Sequence, residues 1–235
     1  MIRRIFALLI ILNLSACAEL QQVVDSLPQT EGVISSADIA SGLRQALDQG
    51  IDKQVTKLTQ TDGFYKNELV KILLPSELQK VDDALRKIGL SSLADEGLKA
   101  LNRAAEDAVK EATPIFINAV KGITFNDAKN ILLGEENAAT TYLTTKTQTD
   151  LYNKFKPVIE SSFSKVSADQ IWTNLITKYN NLPLTNDVNP DLTDYVTGEA
   201  LKGVYTMIAV EEKEIRNKVS SRTTDLLKKV FALQD

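Results

Sequence analysis

Residues 35–58 read SSADIASGLRQALDQGIDKQVTKL, and within them Ile39, Leu43, Leu47, Ile51 and Val55 recur at every fourth position. Four residues carry an α-helix slightly past one turn, so these five side chains share one face. A half-buried strand would alternate instead. Ser36 stands where an N-cap belongs and predicts a helix from that point, with Gly50 weakening its middle.

The same period continues downstream. After the turn residues Thr61-Asp62-Gly63, the apolar run from Val70 to Leu74 reads equally as a buried extended segment or a helix end. Pro75 suits the first turn of a helix carrying Leu78, Val81, Leu85 and Ile88 and stopped at Gly89. Leu98, Leu101, Ala105, Ala108, Ala112, Phe116 and Ala119 share a face, and Pro114 predicts a break at the preceding residue. Thr124 and Asp127 form a capping pair for a short helix ending near Gly134. Helices are expected over 135–145 and 150–165, separated by the threonine-rich TTYLTTKTQT, because threonine is a poor helix interior. Ser167 and Gln170 form a capping box before Ile171, Trp172, Leu175, Ile176 and Tyr179. The segment 180–191 is the longest loop, with Asn189-Pro190 restarting helix through Tyr195, Leu201, Tyr205, Ile208 and Ile215. A last helix, opened by Arg222-Thr223-Thr224-Asp225, holds Leu226, Leu227, Val230 and Phe231. No sustained period-two alternation is present, so the expected fold is all-α, a single multi-helix bundle over 36–235.

The first twenty residues, MIRRIFALLIILNLSACAEL, do not belong to that bundle. Arg3 and Arg4 precede an apolar run from Ile5 to Leu12, too short for the roughly 20 residues a membrane span requires. That pattern describes a secretory signal peptide. Leu14-Ser15-Ala16-Cys17 resembles the bacterial lipobox, at which a precursor is acylated on cysteine and cut just before it. The resemblance implies a signal peptide over 1–16 and a lipidated Cys17 as the first mature residue. An ordinary signal peptide cut at Ala16 or Ala18 is the alternative. Two or more acyl chains give durable anchoring where one does not. Ala18, in place of aspartate, implies by the same resemblance an outer-membrane destination facing the periplasm. Residues 17–35, with Pro28 and Gly32, read as a short flexible tether.

Composition narrows the chemistry. Without the leader, 219 of the 235 residues remain, with 25 basic and 31 acidic side chains and a net charge of −6. An acidic chain without a Lys/Arg block is a poor nucleic-acid binder. The sequence has no histidine and one cysteine. Histidine-dependent acid–base catalysis, Ser-His triads, disulfides and cysteine metal sites are therefore excluded, and no cofactor is expected.

Several phrases, in order, carry a wider resemblance: ISSADIASGLRQALDQGIDKQVTKL (34–58), ALRKIGLSSLADEGLKALNRAAEDAV (84–109), PIFINAVKGITFNDAKNILLGEENAATTYL (114–143), VNPDLTDYVTGEALKGVYTMIAVEEKEIR (188–216) and RTTDLLKKVF (222–231). Together they resemble the domain-of-unknown-function family numbered 4197. The resemblance implies one all-helical domain, typically exported and often a lipoprotein, and brings no catalytic residues.

Candidate sites follow from charged and aromatic residues. Glu211 and Glu214 are three apart and share a helix face, whereas Glu212 points elsewhere and pairs at i, i+4 with Arg216. Two carboxylates with separated pKa values can divide acid and base roles or hold a divalent cation through oxygen. The bland alternative is a solvated helix face. Asn102, Arg103 and Glu106 lie among alanines, with Asn102 and Glu106 spaced to bond each other. They describe either a polar pocket or a network joining packed helices. Asp127, Tyr142 and Tyr205 complete the candidates for a pocket with phenolic handles. Three readings follow: a non-enzymatic envelope lipoprotein that binds a partner or an apolar ligand; a carrier of a hydrophobic ligand in an internal cavity; and a carboxylate hydrolase using a divalent metal. The hydrolase reading expects two of Glu106, Asp127, Glu211 and Glu214 to converge.

Overall fold

The computed structural model describes residues 34–87, 89, 91–165, 168–180 and 191–234. The leader, Cys17, the tether up to residue 33, Ser167 of the expected capping box and the loop 181–190 with Asn189-Pro190 lie outside the described residues. Among those described there are nine α-helices and no strand. They are α1 Ser36–Leu58, α2 Ser76–Lys87, α3 Ser91–Val109, α4 Ala112–Lys121, α5 Phe125–Leu132, α6 Ala138–Lys165, α7 Ala168–Asn180, α8 Thr193–Asn217 and, after the 3₁₀ turn Val219–Ser221, α9 Asp225–Phe231. The chain is thus all-α, and none of these helices is long and apolar enough to cross a membrane.

The four-residue stripe of α1 is buried at Leu43, Leu47, Ile51 and Val55. Gly50 does not interrupt the helix, because the space it leaves is filled: a Cβ there would stand 3.2 Å from Glu211 Cγ. Central to the bundle is α8, which packs on α1, α3 and α6. It buries Val196, Ala200, Val204 and Met207, and also Thr197, Leu201, Ile208 and Glu211, on more than one side. Small residues set the closest approaches. Trp172 lies on Gly97, the Phe64 ring on Gly203, and Val230 on Gly42. Within the turn at 61–63, Asp62 takes the left-handed conformation at φ +67°. Gly63 is needed for a different reason, since a Cβ on it would meet the Leu58 carbonyl oxygen at 2.4 Å.

Three expectations are corrected and one open alternative is resolved. The helix interruption assigned to Pro114 comes earlier, between Val109 and Ala112, and Pro114 sits in the first turn of α4, where its missing N–H costs nothing. The threonine-rich stretch does not separate two helices; α6 runs through it. Thr144, Thr145 and Thr147 donate their hydroxyls to the carbonyls of Thr140, Thr141 and Leu143 at 2.7–2.9 Å, so the side chains that compete with a helix bond within it instead. The helix after the long loop begins at Thr193 rather than at Pro190. Val70–Leu74, left open between helix and extended chain, is not helical: Val70, Ile72 and Leu74 are buried, while Leu69 and Leu73 are exposed. The capping box of Thr124 and Asp127 is present in both directions, and Thr224 caps α9 by accepting from Leu227 N–H.

Candidate functional site

Two polar networks lie inside this apolar bundle. The first joins α3 to residues 62–72. Asn102, fully buried, uses its amide as a second backbone: Oδ1 accepts from Ile72 N–H at 2.8 Å and Nδ2 donates to Ile72 O at 2.9 Å. It also donates to Leu98 O. An extended segment that has no sheet thereby satisfies its backbone on one side chain. One turn on, buried Glu106 accepts from the N–H groups of Phe64 and Tyr65 at 3.1 and 3.4 Å and from Arg103 at 2.5 Å. Arg103 reaches on to Asp62. The hydrogen bond from Lys66 and the charge of Arg103 hold the Asp62 carboxyl below the usual aspartate range. Asn102 and Glu106 do not bond each other, contrary to their spacing; each is directed to a different stretch of the incoming chain.

The second network gathers where α8 meets α1 and α6. Glu212, buried, accepts from Ala139 N–H, Thr140 N–H and the Thr140 hydroxyl at 2.8–2.9 Å, and from Arg216 Nε and Nη2 at 2.8–3.0 Å. Ala139 and Thr140 are in the first turn of α6, so a carboxylate from another helix caps that terminus and meets its positive dipole end. Arg216 continues to the carbonyls of Ile131 and Leu132, the last of α5. Arg222, 2 % exposed, donates to Ile215 O and Arg216 O and closes the end of α8, with its guanidinium 5.9 Å from the Phe231 ring centre. Glu212, Arg216 and Arg222 thus each complete a helix end that its own backbone leaves open. The Glu212–Arg216 pair expected on a solvated face is buried instead, because α8 has neighbours on several sides.

Glu211 turns into α1, accepting from Gln54 Nε2 and Lys53 Nζ at 2.7 Å each. Glu214 does not join it; it pairs with Lys218 at the surface, and the two carboxylates have no common partner. Asp127 completes the capping box that Thr124 opens at the start of α5, and the Thr124 hydroxyl and backbone N–H hold its carboxyl below the usual aspartate range. Tyr142 lies near it, its phenol raised by burial first and by the Asp127 charge second. Tyr205 shares a 2.8 Å hydrogen bond with Thr147 and stands edge-on to Phe116 at 6.1 Å; burial raises its phenol as well. The candidates therefore fall into separate places: Asn102, Arg103 and Glu106 together, Glu211 beside Glu212, and Asp127, Tyr142, Tyr205 and Glu214 elsewhere. Among the described residues no three His, Cys, Asp or Glu side chains gather to hold a metal ion.

Between α1, α8 and α9 lies a cavity lined by Leu47, Ile51, Ile208, Phe231 and the stems of Glu211 and Glu212. Its volume is about 20 Å³, enough for a single water, whereas ligand pockets run to roughly 300–1,000 Å³. It does not hold an acyl chain. An open groove of about 350 Å³ flanks the extended segment, between Leu73 and Leu74 on one side and Tyr195, Lys202 and Thr206 on the other. Asp62 is the network residue that reading single helix faces misses; Glu212, Arg216 and Arg222 stand out in the sequence by local spacing, without the distant contacts that bury them.

Residues 33–232 match the model of a family described as "Protein of unknown function (DUF4197)". No curated protein and no solved structure matches the chain.

Proposed function

The chain belongs to the DUF4197 family, and from that premise we propose that it is a lipid-anchored protein of the bacterial cell envelope whose helical domain serves as a non-enzymatic interaction module. The observation that carries this reading is Leu14-Ser15-Ala16-Cys17, placed directly after a charged start and a short apolar run. Acylation of Cys17 would tie the mature chain to a membrane, and Ala18 favours the outer membrane with the domain facing the periplasm.

The chemistry of the interior supports a module that holds its shape. Glu106, Glu211 and Glu212 are each engaged by donors of the fold itself, and Glu212 accepts five hydrogen bonds, which leaves it no lone pair for base chemistry. Exposed Leu69 and Leu73 beside the open groove offer a partner an apolar edge. The test is a Cys17→Ala variant, fractionated together with the unaltered protein and weighed intact. The unaltered chain should sediment with membranes at a mass that starts at Cys17 and includes fatty chains, and the variant should be released. A variant that stays with the membrane, or a mature mass without acyl groups, overturns the reading.

A further inference from the structure

We infer that the outer face of α4 and α5 rests against the head-group layer of an anionic bilayer, the membrane into which the anchor at Cys17 inserts; the inference rests on that anchor. Between Ala112 and Gly134 the chain has two lysines, Lys121 and Lys129, and a single acidic residue, Asp127. Asp127 is turned back into the capping box with Thr124. In a mature chain of net charge −6, Lys121 and Lys129 are the exposed charges of this stretch, Asp127 being half-buried, and the exposed Glu111, Glu135 and Glu136 lie just beyond its two ends. Its apolar residues are exposed with it: Ile117 is 36 %, Phe125 39 % and Leu133 62 % accessible. Phe125, Lys129 and Leu133 follow each other at four-residue spacing and form one stripe along α5, and Ile117 and Lys121 do the same on α4. Apolar side chains with lysine between them and asparagines beside them are the composition of a helix that lies in a membrane interface.

The position of the stripe agrees with the entry point of the chain. Arg44 donates to the Ile123 carbonyl at the junction of α4 and α5. Arg44 is eight residues into α1, so this junction lies only about 12 Å along the helix from Ser36. α9 runs back along the same part of α1, with Thr223 at Gln49, Thr224 at Gln45 and Val230 at Gly42. Its end meets α5 again, where Gln234 donates to Leu132 O. The turn at 61–63 follows the opposite end of α1, at Leu58, about 20 Å along the helix from Arg44. Eighteen residues separate Cys17 from Ser36 and span at most about 60 Å. An anchored domain is therefore presented to the bilayer at high effective concentration, and a small face suffices to orient it.

The test uses the full-length acylated protein in phosphatidylethanolamine/phosphatidylglycerol vesicles. A thioether at Cys17 leaves no thiol, so Asn126→Cys or Lys202→Cys supplies one attachment point for a polarity-sensitive dye. Nitroxide lipids labelled near the head group should quench the dye at 126 severalfold more than at 202, and adding Phe125→Ser with Leu133→Ser should bring quenching at 126 down to the level at 202. The serine pair, both at exposed positions, should keep its helical circular dichroism and its vesicle-bound fraction. Equal quenching at 126 and 202 in an acylated, vesicle-bound protein overturns this inference alone. A mature mass without fatty chains overturns the anchor and this inference with it.

Discussion

Trp172 lies so close to Gly97 that a Cβ on the glycine would stand 2.7 Å from indole Cζ2 and 2.9 Å from Cε2. Alanine in a helix is ordinarily favoured over glycine by about 1 kcal/mol. Here the contact reverses that preference, because the buried indole must move, and overpacking costs roughly 1–3 kcal/mol. Gly97→Ala should lower stability by about 1 kcal/mol net, and Gly97→Val by more. Trp172 is the only tryptophan, so denaturant titration followed by its fluorescence reads the effect, with emission of the folded variant shifted to the red. An unchanged or raised midpoint would show that the indole has room to give way.

Asn102 tests how the extended segment is held. Asn102→Leu fills the same space but leaves the N–H and C=O of Ile72 without a partner, at about 1–3 kcal/mol for each buried group. Urea unfolding should show a loss of roughly 2–4 kcal/mol. Asn102→Asp should recover only part of that loss, since it keeps an acceptor for Ile72 N–H and removes the donor for Ile72 O and Leu98 O. Equal stability of the leucine variant and the unaltered protein would mean that water enters the segment freely.

Glu212 and Arg216 form a buried pair that also caps two helices. Removing one partner of such a pair costs about 3–5 kcal/mol. Glu212→Ala should therefore be among the most damaging single changes, while Glu214→Ala, three residues from Glu211 on the same helix but at the surface, should shift the midpoint by less than about 0.5 kcal/mol. Calorimetric midpoints that do not separate these two variants would contradict the burial described.

Asp127 sets a pH dependence. Its carboxyl is held below the ordinary aspartate value by the Thr124 hydroxyl and backbone N–H. A folded pKa below the unfolded one stabilises above the unfolded value, near 3.9, and that contribution disappears as pH falls through the folded value. The stability gap between the unaltered protein and Asp127→Asn should thus be full at pH 6, shrink below about pH 4 and close in stronger acid. A gap that is constant from pH 6 downward would assign the effect to shape rather than charge.

Most of the helices were legible because one-sided burial writes a four-residue period into the chain, as at Leu43, Leu47, Ile51 and Val55. The cap of α5 was legible because Thr124 and Asp127 bond within a single turn. What the period does not carry is contact between distant residues. The threonines of α6 read as a break because nothing local shows that their hydroxyls bond backward. Glu212 was assigned to solvent because one apolar stripe was expected on α8, and a central helix has several. Asn102, Arg103 and Glu106 stood out as polar residues among alanines, yet their true partners, Asp62, Phe64 and Ile72, are 30 to 42 positions away.

That cluster has a mechanical consequence. Residues 62–72 are fastened to the bundle by three side chains lying within two turns of α3. The crossing and the middle of α3 therefore let go together or not at all, as one cooperative unit of partial unfolding. In native-state hydrogen exchange, the amides of Phe64 and Ile72 share a single opening free energy with those around Asn102, although nothing in their position along the chain would group them.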